Sequence, residues 1–242
     1  MQEICIIIPC YNEAKRLPVN NFLEFYKQVT YHFCFVNDGS NDNTLEILNK
    51  IRHGREDRIL VVDQKYNKGK AEAVRNGIIK SIAWKPFDIT GYFDADLSTP
   101  LEEIHLLLEN LNKNPDYLIA FGSRVKKMGS IIKRSHTRHY FGRIFSTFAS
   151  LILHLPIYDT QCGAKIFKTE LASEVFKEPF ISKWLFDIEI FARIKKKFGL
   201  EKAKNVMIEV PLQQWIEKGS SKISVFYMLK VPFELLKIYI HY

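Results

Sequence analysis

Residues 86–112 read PFDITGYFDADLSTPLEEIHLLLENLN. The run Ile89 to Asp94 is short, mostly apolar and rich in β-branched and aromatic side chains, as a strand buried on both faces requires. Beyond Asp94-Ala95-Asp96, the segment Thr99-Pro100-Leu101-Glu102 offers a capping threonine, a proline at the first helical position and a glutamate three residues on. A helix is predicted from there to about Asn112. Strand, acidic turn and capped helix together make one βα unit.

The same unit repeats on both sides. Strands are predicted at Ile4 to Ile8, His32 to Asn37 and Ile59 to Asp63 before it and at Tyr117 to Phe121 after it, separated by stretches long enough for crossover helices. The expected fold is α/β, a single domain with a mostly parallel central sheet and helices on both faces. Ligands bind such sheets at the carboxyl ends of the strands. That edge would carry Pro9-Cys10-Tyr11-Asn12-Glu13, Asn37-Asp38-Gly39-Ser40, Asn67-Lys68-Gly69-Lys70, Asp94-Ala95-Asp96 and Gly122-Ser123-Arg124.

Composition narrows the class. With 47% of 242 residues hydrophobic and 26% charged, a disordered chain is excluded. Cys5, Cys10, Cys34 and Cys162 contain no CxxC pair, so neither a disulfide framework nor a structural zinc site is indicated, and a reducing, cytoplasmic setting is expected. The apolar core of the first strand is too short for a signal peptide. Ile144 to Leu155 is interrupted by Ser146, Thr147, Ser150 and His154, well short of the roughly 20 residues that span a bilayer, so no transmembrane helix is expected.

The net charge of +8 divides unevenly, with −3 over residues 1–120 and +11 over 121–242. The basic half centres on GSRVKKMGSIIKRSHTR at 122–138, a composition suited to nucleic acid, anionic lipid headgroups or a phosphorylated substrate. Tyr140 to Leu155 then draws one wide apolar stripe, the pattern of a core-facing helix or of a membrane-surface one. Val225 to Tyr242 is again apolar and aromatic, and Pro232 is expected to break or kink it.

Several strand-end residues suggest chemistry. In an extended chain Asp94 and Asp96 would project to one side and converge on a hard cation, Mg²⁺ or Mn²⁺, leaving its other positions to water and phosphate oxygens; a solvated turn before a helix has the same composition. Asn67 to Lys70 opens a helix and could hold a phosphate, although it is neither a Walker loop nor a GxGxxG turn. Asp187 and Glu189 lie in the apolar run WLFDIEIF, where an unpartnered carboxylate is costly. Either they face a substrate or they form structural ion pairs with Lys165 or Arg193.

Taken together, IIIPCYNEAKRL, VNDGSNDNT, NKGKAEAVRNGI, FDADLSTP and GSR resemble, in chain order, the amino-terminal motifs of glycosyltransferase family 2. Arg134-Ser135 through Arg138, DTQCGAKIF at 159–167, WLFDIEIF at 184–191 and WIEKGSSK at 215–222 are similar to its dolichyl-phosphate glucosyltransferases and their polyprenyl-phosphate relatives. The resemblance implies a GT-A fold over residues 1–222, with a nucleotide-sugar half at 1–121, an acceptor half at 122–222 and an apolar tail at 223–242 able to touch a membrane.

It also implies roles. Pro9, Tyr11, Glu13 and Asp38 would cradle the nucleoside, while Lys70 and Asp94 would fix the donor. Asp96, with Asp94, would hold the metal, and Lys222 would approach the diphosphate. Arg124, Arg134 and Arg138 would hold the acceptor phosphate, and Asp187 and Glu189 are candidate catalytic carboxylates at the sugar or acceptor side. The implied reaction is inverting transfer of a hexose, glucose from UDP-glucose, to a polyprenyl phosphate by a peripheral protein at the cytoplasmic face of a membrane. GDP-mannose as donor and a soluble or polysaccharide acceptor are the alternatives.

The sequence departs from the family pattern at Asn37 (often Asp), Ala71 (often Gly), Ala164 (often Phe) and in GSSK, where GSK is usual. A nucleic-acid-binding module is disfavoured because the acidic strand ends would repel phosphates without a metal. A nicotinamide dehydrogenase is disfavoured because PCYNE follows the first strand.

Overall fold

The computed structural model describes residues 2–218 and 231–242. In chain order the strands are β1 (Ile4–Cys10), β2 (His32–Asp38), β3 (Ile59–Gln64), β4 (Ile89–Phe93), β5 (Ile119–Ser123), β6 (Ile131–Lys133), β7 (Ala164–Lys168), β8 (Met207–Pro211) and β9 (Gln214–Ile216). The helices are α1 (Val19–Gln28), α2 (Thr44–Arg52), α3 (Lys70–Trp84), α4 (Glu103–Asn112), α5 (His136–Leu153), α6 (Thr169–Val175), α7 (Phe186–Phe198), α8 (Leu200–Asn205) and α9 (Val231–His241).

Seven strands form one sheet in the order β3-β2-β1-β4-β7-β5-β8, and β6 pairs with β9 in a separate ribbon. Every neighbour in the large sheet is parallel except β7, which runs antiparallel to both β4 and β5. The expected mostly parallel α/β sheet is therefore present. From β1 the chain winds outward through β2 to β3 and then returns to place β4 on the other side of β1, which opens a crevice at the carboxyl ends of β1 and β4.

Alternation along the strands feeds two cores. Ile6, Ile8, Phe33, Phe35 and Phe93 point to the face covered by α1, α2 and α4, where Phe22, Leu48 and Leu107 are buried. Cys5, Ile7, Cys34, Val36 and Tyr92 point to the other, where Val74 and Ile78 of α3 and Phe186, Ile190 and Ile194 of α7 are buried. With helices on both faces, the strands read as continuous apolar runs rather than alternating ones.

One local reading is revised. The turn Pro100 to Glu102 closes by Glu103 N–H to Pro100 O (3.2 Å) and Ile104 N–H to Leu101 O (3.0 Å), and the regular helix starts at Glu103, ending at Asn112 as expected. The Glu103 carboxylate leaves its own helix to accept from the Gln213 and Gln214 amides (3.2 and 2.7 Å). Pro232 lies in the first described turn of α9, and residues 225–230 of the apolar run that it is expected to break or kink lie outside the described residues.

The stripe on α5 is divided. Ala149 and Leu153 are buried, whereas Tyr140, Phe148 and Leu151 on the opposite side are 66%, 58% and 64% exposed. Likewise α9 buries Leu235 and Ile238 and exposes Phe233, Leu236, Tyr239 and Ile240. Among the described residues no helix is long and apolar enough to cross a membrane.

Candidate active site

The loops after β1, β2 and β3 interlock at the crevice. Asn12 N–H donates to Ser40 Oγ (3.0 Å), Asn41 N–H to Asn12 Oδ1 (2.9 Å) and Glu13 N–H to Thr44 Oγ1 (2.8 Å). Asn12 has a φ of 52°, a left-handed conformation that asparagine tolerates better than most residues. The Glu13 carboxylate is buried and paired with Arg16 at 2.5 Å. Asp38 accepts from the Lys68 and Gly69 amides at 2.8 and 2.9 Å, so its carboxylate shapes the 67–70 loop. Burial raises the Asp38 pKa, and those two bonds partly offset the rise. Gly39 is required beside it: its φ is +62°, and a β-carbon there would lie 2.4 Å from the backbone of Tyr66 and Asn67.

Asp94 and Asp96 reach the rim by a turn and not by the extended chain expected from their spacing. β4 ends at Phe93, and Leu97 N–H closes back on Asp94 O at 3.1 Å. Leu97 is buried with a φ of 50°, a conformation that costs a residue of this kind about 1 kcal/mol. Asp96 Oδ1 accepts from Ser98 N–H at 2.8 Å. Burial, reinforced by the charge on Asp94, raises the Asp96 pKa.

Asp94 is held from two sides. Its amide donates to Gly163 O at 3.1 Å, and its carboxylate lies over the Gly163 α-carbon. In front, Lys70 Nζ forms an ion pair with it. The ammonium also stands 5.9 Å from the Tyr92 ring centroid and 5.8 Å from that of Phe186, within cation–π range. Burial pulls the Lys70 pKa down, but the charges of Asp94, Asp187 and Asp96 outweigh it and the net shift is upward.

Beneath this pair, Tyr92 OH and Lys165 Nζ both donate to Asp187 Oδ1 at 2.5 Å. Lys165 is fully buried and also donates to the Cys162 and Thr160 carbonyls at 2.7 and 3.3 Å. The ion-pair alternative for Asp187 is thus realised, in a position next to the crevice. Glu189 is committed elsewhere. It accepts from Ile181 N–H (2.9 Å), Ser182 N–H (3.3 Å), Arg193 (2.7 Å) and Tyr242 OH (2.9 Å), which ties α7 to the preceding loop and to the end of α9.

The basic side is built around another buried pair. Arg124 Nε and Nη2 grip the two Asp159 oxygens at 2.6 and 2.7 Å, and the Arg124 guanidinium stands 5.3 Å from the Trp215 ring centroid. Burial works against the Asp159 carboxylate, but Arg124 overrides it and brings its pKa to about 2. The Glu209 carboxylate fixes this loop by accepting from Tyr158 N–H and Asp159 N–H at 2.8 and 2.7 Å. Arg134 packs against Gly142 of α5. Arg138 lies in the first turn of α5, its side chain outside the described residues, and Lys222 lies outside them altogether.

Pro9, Tyr11, Glu13, Asp38, Lys70, Asp94 and Asp96 therefore gather at one strand-end crevice, with Asp187 beneath. The sequence reading gave no role to Gly163, Tyr92 or Asp159, and treated Lys165 only as a possible ion-pair partner. A lysine inside the strand-like run AKIF and a glycine just before it were the available signals. Lys183 was also missed; its side chain packs within 3.6 Å of where a β-carbon on Gly69 would stand, beside the 67–70 loop.

These features define the class of protein. The family model described as Glycosyl transferase family 2 matches residues 5–176, and the chain belongs to that family; it is a glycosyltransferase. It is similar to the dolichyl-phosphate beta-glucosyltransferase of Mus musculus, at 30% identity covering 100% of this chain and 76% of that one. The enzyme of the same name from Homo sapiens is 31% identical over 93% of this chain and 75% of its own. Glucosyl-3-phosphoglycerate synthase from Mycobacterium tuberculosis, in complex with Mn²⁺, UDP and glucosyl-3-phosphoglycerate, has a TM-score of 0.70 at 15% identity, covering 99% of this chain and 79% of that one. A mannosyltransferase from Pyrobaculum calidifontis in complex with GDP-Man and Mn²⁺ has a TM-score of 0.63 at 17% identity, covering 98% and 63%. These likenesses establish the GT-A fold.

A divalent cation suits the residues present. Asp94 and Asp96 are hard oxygen donors, and the Lys70 ammonium already stands against Asp94 as a monovalent stand-in. Among the described residues no group of three or more His, Cys, Asp or Glu is clustered as a complete ligand set. Most of an octahedral shell would come from water and substrate oxygens, as is usual for Mg²⁺.

Proposed function

We propose that this glycosyltransferase moves a hexose, glucose from UDP-glucose, to a polyprenyl phosphate of the dolichyl type with inversion at the anomeric carbon. The observation that carries the reading is the likeness, over nearly the whole chain, to enzymes named dolichyl-phosphate beta-glucosyltransferase. The buried basic centre at Arg124 and the basic segment 122–138 support an anionic acceptor.

Pro9, Tyr11, Glu13 and the Asp38-shaped loop hold the nucleoside, and Lys70 meets the diphosphate. Asp94 and Asp96 hold Mg²⁺ or Mn²⁺, which when bound supplies Lewis-acid neutralisation of the leaving diphosphate. A lipid phosphate has a second pKa near roughly 6, is largely dianionic at neutral pH and attacks without a strong general base. Orientation is then the task of Arg134, Arg138 and the remaining Nη1 of Arg124, because guanidinium groups match phosphate oxygens. Asp187, held by Tyr92 and Lys165, acts from beneath the crevice to position Lys70 and the sugar. Glu189 supports that helix from behind.

The exposed apolar sides of α5 and α9 lie on adjoining helices, and we assign them to contact with the cytoplasmic surface of a membrane that carries the acceptor. The test incubates the protein with radiolabelled UDP-glucose or GDP-mannose, Mg²⁺ or Mn²⁺, and either polyprenyl phosphate or soluble phosphorylated acceptors. Label from UDP-glucose entering the organic phase is the expected result. Label from GDP-mannose alone overturns the donor, and label retained only in water-soluble product overturns the acceptor.

A further inference from the structure

The ion pair between Lys70 and Asp94 has a consequence for how the site fills. Two carboxylates and one ammonium leave the rim with a single net negative charge, and Lys70 takes the place at Asp94 that a divalent ion would use. A cation entering beside that ammonium meets repulsion, which the negative charge of a diphosphate would relieve. We propose that Lys70 is the resident cation of Asp94 in the donor-free enzyme, so that the divalent ion binds together with a nucleoside diphosphate and not before it. This rests on the reading of the site as a nucleotide-sugar site and specifies the order in which it is loaded.

Three features make Lys70 the part that moves. Asp94 is pinned from behind, its amide bonded to Gly163 O and its carboxylate seated where a Gly163 side chain would be. Lys70 is the first residue of α3, with a flexible four-carbon stem and partial exposure. The Tyr92 and Phe186 rings and the more distant Asp187 give the ammonium a resting place that does not depend on Asp94 alone. When phosphate oxygens arrive at the start of α3, the ammonium turns to them and uncovers the Asp94 carboxylate for the metal.

The test is calorimetric titration of Mn²⁺ into the full chain, alone and with saturating UDP or GDP, for wild type and Lys70→Met, which keeps the stem and removes the charge. Wild type is expected to bind Mn²⁺ at least about tenfold more tightly with the nucleotide than without it, and in Lys70→Met the donor-free affinity for Mn²⁺ is expected to rise by about tenfold. Equal Mn²⁺ affinity of wild type with and without nucleotide overturns the proposal. So does unchanged donor-free affinity in a Lys70→Met protein with a wild-type melting temperature. Either result leaves the functional reading standing, because UDP or GDP still binds. Failure of both nucleotides to bind in the presence of Mn²⁺ defeats that reading and this inference with it.

Discussion

The carboxylate of Asp94 lies directly over the α-carbon of Gly163, so that a β-carbon at residue 163 would stand 2.0 Å from Oδ2. No side chain fits there unless Asp94 moves. Gly163→Ala is expected to lower kcat by about a hundredfold, the order of loss that a displacement of about 1 Å causes in an oriented site. Circular dichroism should show the fold retained. Wild-type turnover in this variant would mean that the position of Asp94 is immaterial.

Asp96→Asn keeps the size of the side chain and an oxygen for the Ser98 amide, but removes the charge that would face a metal. Turnover is expected to vanish with the melting temperature within a few degrees of wild type. Equal rates in the two proteins would remove the metal assignment.

The Arg124–Asp159 pair gives a pH dependence of definite sign. The folded-state pKa of Asp159, about 2, lies below its ordinary 3.8, so the pair's contribution is fully present above about 4 and is lost as pH falls from there through about 2. Asp159→Asn should flatten the acid limb of the stability curve in that window, measured by urea unfolding at a series of pH values. Because Asp159 already grips two Arg124 nitrogens, Arg124→Ala is expected to lower stability as well as acceptor affinity.

Lys165→Met strands the Asp187 carboxylate in a buried site and is expected to cost about 3–5 kcal/mol. Adding Asp187→Leu removes the stranded charge and should recover a large part of that loss, which denaturant melts of the two singles and the double would measure. Simple additivity of the two losses would show that the pair is not coupled.

Replacing Phe148, Leu151, Phe233 and Ile240 by serine removes four exposed apolar side chains without touching the crevice. Since burying one such side chain is worth about 1.5–3 kcal/mol, sedimentation with anionic vesicles should fall by more than about tenfold. Unchanged sedimentation would overturn the proposed membrane contact of α5 and α9.

Much of the architecture was legible in the chain itself. The five early strands are mostly apolar runs, and each is present within two residues of its expected ends. β7 was not read as a strand, because its short run carries Lys165, a residue that looks exposed until its three acceptors are known. The same limit applied to Asp187, Glu189 and Arg124, since residue type marks them as important but only their partners distinguish a substrate contact from a tether. Spacing also misled at Asp94 and Asp96, because a two-residue interval says nothing about whether the backbone between them is extended or turned.

β7 comes from residues 164–168, yet it occupies the slot between β4 and β5, both made earlier in the chain. A nascent polypeptide that has emerged only as far as residue 123 therefore holds two strands that cannot pair with each other and must wait for a third. Until synthesis has passed residue 168, both present unpaired edges able to stick to other chains. Fragments ending before that point should aggregate, and assembly of the sheet should be slow, limited by closing a long loop instead of by local helix formation.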